Sequence, residues 1–181
     1  MIKTCEQLCY DSYIGGTGFV EVSDLSYGLF DTLQGRILCI RGSENALNWL
    51  RNVRAVPWRT CGGHIAHKGF IRAFQALCSG GMPTGKGACD IVTGHSLGGA
   101  IATLYAEQAG CKVVTFGSPK VYFRFAPAPV LDHIRITRDD DPVPWIPGMF
   151  YSHRTEATVR KDNDHHLLQI EDHFMKGYLT K

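Results

Sequence analysis

Several features that would assign a chain to a class at once are missing here. No run of eighteen apolar residues occurs, so nothing in the sequence reads as a membrane-spanning helix. Charge of one sign is not in excess: 19 Lys and Arg stand against 17 Asp and Glu. A net charge of +2 argues against a nucleic-acid groove, which carries a strong basic excess on one face. No internal repeat, low-complexity tract or linker stands out. The opening segment, MIKTCEQLCYDSYIGG, contains no apolar core of seven or more residues and is not read as a secretory leader. The 7 cysteines include no CxxC pair, and an odd number excludes a monomer with every cysteine in a disulfide. With no leader in view, this pattern leads to the expectation of a reducing, cytoplasmic compartment. Cys39, Cys89 and Cys111 fall in or beside apolar runs and read as small core residues.

What remains is a chain of 181 residues with 44% hydrophobic content. That is too apolar for disorder and suits a single domain over 1–181. Short apolar runs alternate with helical patterns. The opening from Gly18 to Phe30 is β-rich, and Arg36 to Ile40 reads as a buried strand. Asn45 to Val53 and His67 to Cys78 read as helices. Asp90 to Thr93, Lys112 to Phe116 and Asp132 to Thr137 read as strands, with a further strand at Thr155 to Arg160. Leu97 to Gln108 forms a helix stopped by Gly110, and Ile170 to Leu179 a terminal helix. Strands separated by helices predict an α/β layout with a mainly parallel sheet.

The chemistry concentrates at Gly94-x-Ser96-x-Gly98. The pentapeptide alone is common. Its setting is specific, because a strand precedes it and an Ala-rich helix follows. Such a turn holds a serine in a strained conformation with its hydroxyl exposed. A serine needs a base to take its proton, and the base needs an orienting carboxylate. In α/β hydrolases these follow in the order Ser, acid, His. Asp139, Asp140 and Asp141 all lie just past a strand, where a carboxylate points toward the ligand crevice. Pro142 favours an extended Asp141, and the other two read as a solvated turn. His165, His166 and His173 are the candidate bases; His173 opens an apolar terminal helix, whereas the other two share a polar stretch. His95 adjoins the serine and reads first as a packing residue.

An oxyanion requires two prealigned donors. The Leu97 amide, at the start of the helix after the serine, supplies one. The loop Ile40-Arg-Gly-Ser43 follows an earlier strand and offers the Ser43 amide as the second. Ser43 also suits a helix N-cap, and the two roles are compatible.

Taken in order, these blocks resemble the fungal-type class 3 lipase family of α/β hydrolases, from about Arg36 onward. The blocks are Cys39-Ile-Arg-Gly-Ser43, Asn48-Trp-Leu50, His67-Lys-Gly-Phe70, Gly94-His-Ser-Leu-Gly98, Val114-Thr-Phe-Gly-Ser-Pro119, Asp141-Pro-Val-Pro144 and Asp172-His-Phe-Met-Lys-Gly-Tyr178. The resemblance implies an α/β-hydrolase fold with a compact, mainly parallel sheet flanked by helices. It selects Asp141 and His173 from the competing residues, with Ser96 as nucleophile and Ser43 with Leu97 as the oxyanion hole. It implies a serine ester hydrolase for acylglycerols, phospholipids or simpler acyl esters. No metal or organic cofactor is called for. Alternatives are a silent binding module on the same scaffold, and a thioesterase or sugar deacetylase using the same triad. Trp49, Leu50 and His95 are the candidates for substrate contact. Glu44 to Trp58 is the segment that would form a lid, although an apolar stripe of this kind is more often core than lid. Arg51, Arg54 and Arg59 would suit peripheral contact with an anionic lipid surface. Two motifs are set aside. Gly80–Lys86 nearly spells a phosphate loop but precedes a strand, and His64-x-x-His67 lacks the spacing of a zinc site. Met149, Phe150 and Tyr151, near the acid turn, suit either an acyl pocket or the core.

Overall fold

The computed structural model describes residues 1–43, 56–153, 155–160 and 175–178. The chain opens with helix α1 (Ile2–Tyr13), then strands β1 (Phe19–Val22), β2 (Leu25–Thr32) and β3 (Gly35–Arg41). Next come β4 (Pro57–Arg59), β5 (Ile65–His67), helix α2 (Lys68–Ser79) and β6 (Ile91–His95). Helix α3 (Leu97–Ala109) leads to β7 (Lys112–Phe116), β8 (Tyr122–Phe123) and β9 (His133–Arg138). A 3₁₀ turn (Val143–Trp145), β10 (Tyr151–Ser152), β11 (Ala157–Arg160) and the short helix α4 (Met175–Tyr178) complete the described elements.

The main sheet has the order β1-β2-β3-β6-β7-β9-β11. Its first two pairings are antiparallel, and from β3 onward the strands run parallel. The parallel strands are buried on both faces, so they read as continuous apolar runs rather than alternating ones. In β3, Leu38 and Ile40 join the core shared with α2 and α3, while Ile37 and Cys39 join the opposite core under α1, with Met175 and Tyr178. A second, smaller sheet of order β10-β8-β5-β4 was not foreseen. Its strands are 2–3 residues long, too short for a side-chain period to show.

Helix α1 was not foreseen either. Its buried residues are Cys5, Glu6, Cys9 and Ser12, none of them strongly apolar and one charged, so its inward face does not read as a hydrophobic stripe. The expected helix at Asn45 to Val53 lies outside the described residues. The expected strand at Asp132 to Thr137 is found one residue later, and β11 pairs parallel to it. Cys39 and Cys89 are buried, and Cys111 packs against the same core as Cys89.

Helix α3 is buried along nearly its whole length and ends at Gly110, in the left-handed conformation (φ 69°). Its start lies unusually close to the end of β3. A Cβ on Gly98 would sit 2.1 Å from the Ile40 carbonyl oxygen and 2.8 Å from the Gly42 nitrogen. Both neighbours are backbone, so neither can swing away. Gly98→Ala is expected to cost about 3 kcal/mol and lower Tm by about 10 °C in a chain of this size. A thermal melt within about 2 °C of wild type would show slack that these distances deny.

Candidate active site

The site forms at the C-terminal edge of the parallel sheet, where ligand crevices of open α/β sheets lie. Strand β6 ends at His95, and Ser96 turns the chain directly into α3. Ser96 has φ 56° and ψ −127°, a conformation rare for a residue with a side chain and strained by about 1–3 kcal/mol. Three backbone hydrogen bonds hold it there. Its N–H donates to the Phe116 carbonyl (3.0 Å), and its carbonyl accepts from Gly99 (3.0 Å) and Ala100 (3.2 Å). The sequence pattern called for an exposed hydroxyl, but Ser96 is only 1% exposed. Loops from both neighbouring strands crowd the turn: Gly42 abuts Leu97 and Gly98, and Ser118 abuts Gly99.

Those loops also bring the acid close. Phe116 of β7 lies beside His95 of β6, and Ile136 of β9 beside Phe116. Gly117 (φ 54°) follows Phe116, and a Cβ on it would stand 2.8 Å from Asp141 Oδ2. Ser96 and Asp141 therefore sit past the ends of β6 and β9, with only β7 between them. Asp141 is fully buried. Its Oδ1 accepts the Val143 amide (2.8 Å), and its Oδ2 accepts a short hydrogen bond from the Tyr178 hydroxyl. The same hydroxyl accepts the Arg138 amide (3.3 Å). Burial, then the Asp141 charge, pushes the Tyr178 hydroxyl well above its ordinary pKa, so it stays a donor.

The three adjacent aspartates have three fates. Asp139 is exposed. Asp140 is not a solvated turn residue: it is 9% exposed and forms a two-pronged pair with Arg138, at 2.9 Å to Nε and 2.7 Å to Nη2. Asp141 alone enters the interior at the strand edge. Of the expected bases, His165, His166 and His173 all lie outside the described residues, as do Trp49 and Leu50.

Among the oxyanion-hole candidates, Ser43 and Leu97 are both buried. A Cβ on Gly42 would stand 3.2 Å from the Leu97 nitrogen, so the loop carrying Ser43 lies against the start of α3. His95, named both for substrate contact and for packing, sits 3% exposed between two tyrosines. Its Nδ1 is 3.2 Å from the Tyr13 hydroxyl, and its ring is 5.7 Å from that of Tyr178.

The histidines of the set-aside metal motif go to separate partners. His64 Nδ1 meets Glu107 Oε1 (2.7 Å), a carboxylate also held by Thr60 (2.5 Å) and Tyr122 (3.0 Å). His67 caps α2, its Nδ1 accepting the Gly69 amide (3.2 Å), and burial lowers its pKa to about 4. Neutral His67 is thus the acceptor that the first turn of α2 needs. Gly80 and Gly81 close the end of α2 rather than opening a phosphate loop. Tyr151 is core, whereas Met149 and Phe150 are exposed. Of the segment named as a lid, Val56 and Trp58 are described, both exposed, with Lys68 Nζ 4.2 Å from the Trp58 ring centre; residues 44–55 lie outside the described set. Tyr178, as a partner of Asp141, is the residue that sequence reasoning passed over; it closes the last of the ordered blocks.

A strained serine between a parallel strand and a helix, with a buried aspartate two strands away, is the arrangement of an α/β hydrolase. The architecture agrees with solved lipases. Lip2 lipase from Yarrowia lipolytica superposes with a TM-score of 0.64 at 20% identity, covering 87% of this chain and 77% of that one. The mono- and diacylglycerol lipase from Aspergillus oryzae superposes with a TM-score of 0.59 at 20% identity, covering 91% and 79%. The chain belongs to the class 3 lipase family, whose profile matches residues 37–151. It is 32% identical over 140 residues to secreted mono- and diacylglycerol lipase 1 of Fusarium solani, a match covering 65% of this chain and 41% of that protein. The chain thus spans about two fifths of the length of this curated relative. A secreted relative overturns the expectation of a cytoplasmic location. That expectation rested on an odd cysteine count and the character of the first residues, neither of which specifies a compartment. Among the described residues no helix is long and apolar enough to cross a membrane.

Proposed function

We propose that this chain is a single-domain serine ester hydrolase that cleaves acylglycerols or related acyl esters through Ser96, His173 and Asp141. The observation that carries the reading is the burial of the Asp141 carboxylate beside Gly117, two strands from the strained Ser96 turn with only β7 between. A buried carboxylate is costly unless hydrogen-bonded, and the bonds from Val143 and Tyr178 both stabilise and aim it.

In this scheme Ser96 Oγ attacks the ester carbonyl while His173 takes its proton. Asp141 orients the imidazole and stabilises the positive charge it acquires. The amides of Leu97 and Ser43 receive the oxyanion. His173 returns the proton to the leaving alcohol, and water then releases the acid from the acyl-enzyme. Each step is complete without a metal or organic cofactor. Mono- and diacylglycerols are the first substrates to try, since the Fusarium solani relative is named for them.

Covalent labelling tests whether the serine is activated. A fluorophosphonate probe is expected to form one adduct per chain, at Ser96, and none on Ser96→Ala. An unlabelled wild-type chain would support a silent binding module instead.

A further inference from the structure

On the face of β9 turned away from α4 there is a cavity of about 350 Å³ that the ester chemistry does not use. Lys120, Arg135, Arg138, Pro144, Trp145 and His153 line it. Arg138 is neutralised by Asp140. Arg135 has no such partner among the described residues. It is 8% exposed, its Nη1 donates to the Thr155 carbonyl (2.9 Å), and its Nε–H is buried with no partner. Among the described residues no carboxylate pairs with it. Lys120 Nζ likewise meets no carboxylate among the described residues: it donates to the Gly148 carbonyl (3.3 Å) and lies 6.0 Å from the Trp145 ring centre. The acid on the lining, Asp139, is exposed.

Burial is the first cause of the lowered pKa of each titrating group around the cavity, and neighbouring cations come second for Lys120, His133 and His153. Burial, then Arg124 and Arg135, holds Lys120 below its ordinary pKa. Burial lowers Arg135 to about 10. His133 (about 4) and His153 (about 3) are lowered first by burial and next by Arg135. Two cations that face one pocket and repel each other, one of them buried, with no anion beside either among the described residues, are an unfavourable arrangement that a bound anion relieves.

The rim adds a second requirement. Trp145, which lines the cavity, is 66% exposed; Met149 and Phe150, a few residues further along the chain, are exposed too, and Phe150 is in ring contact with exposed Phe125 at 6.4 Å. An exposed apolar cluster of this kind marks a binding surface. We infer that the cavity binds an amphiphilic oxyanion, a carboxylate or phosphate on an alkyl chain, with the head between Arg135 and Lys120 and the chain running over Trp145 toward Met149 and Phe150. The inference is independent of the proposed ester chemistry, because nothing in it involves Ser96.

The test is binding, read by calorimetry and thermal melting of the full chain at pH 7.5 and matched ionic strength. Sodium octanoate, below its micelle threshold, is expected to bind and to raise Tm by several degrees at saturating concentration. Octan-1-ol, with the same chain and no charge, and inorganic phosphate, with charge and no chain, are each expected to bind at least about tenfold more weakly. Lys120→Gln should weaken octanoate at least about tenfold, and Arg135→Gln should remove measurable binding. Should Arg135→Gln fail to fold, Lys120→Gln decides alone. Equal binding of octanol, equal binding of inorganic phosphate, no binding of octanoate, or an unchanged affinity in Lys120→Gln would each overturn the inference.

Discussion

Ser96→Ala is expected to lower the turnover of a p-nitrophenyl ester by at least about 10⁴-fold with Tm no lower than that of wild type. The loss follows from removing the only oxygen that the acyl-enzyme route can use. What survives is the oxyanion hole and binding, which leave a residual acceleration by attack of water. Stability should hold because the three backbone hydrogen bonds at residue 96 do not involve its side chain. Alanine keeps them, although it shares the strain of φ 56°. Equal ester turnover by the two proteins would end the hydrolase reading, wherever the fluorophosphonate adduct fell.

Asp141→Asn is expected to lower kcat by about 10³- to 10⁴-fold while leaving KM within about threefold. The substitution is nearly isosteric. The amide oxygen can still accept the Val143 N–H, and the Tyr178 hydroxyl can turn to accept from the new NH₂. The position therefore stays filled and hydrogen-bonded, but the negative charge that would stabilise a protonated imidazole is gone. Tm measured alongside separates this from unfolding. Asp140→Asn makes the contrast: it breaks an ion pair with Arg138 and should reduce stability more than kcat. A kcat for Asp141→Asn within about threefold of wild type would assign the acid elsewhere.

Strand β7 runs over the same residues, Lys112–Phe116, that its apolar run marks out in the sequence. Helix α3 begins at Leu97 and stops at Gly110 for the reasons its local residues supply, a turn at one end and a left-handed glycine at the other. These elements are legible because the signals that define them are local and periodic. Helix α1 was invisible for the opposite reason. Its buried face of Cys5, Glu6, Cys9 and Ser12 gains its burial from β3 and α4 rather than from its own hydrophobicity. The pairs in the second sheet, such as the single bridge Ala66–Tyr122, carry no pattern a sequence could display.

The chain alone named the candidates for the reaction: a serine between two close glycines, an ordered acid and histidine behind it, and seven blocks in family order. Spacing and turn chemistry carry that much, because a strand-to-helix turn that tight admits few residues. Only the tertiary structure decided what each aspartate does. Asp139, Asp140 and Asp141 are identical and adjacent, and local sequence gives no reason for one to meet solvent, one to meet Arg138 and one to be buried under Tyr178. Their partners come from other elements, Tyr178 from 37 residues away, and burial follows from where those elements pack. The burial of Arg135 with its Nε–H unpartnered among the described residues belongs to the same category, since it is a property of the assembled interior and not of any stretch of sequence.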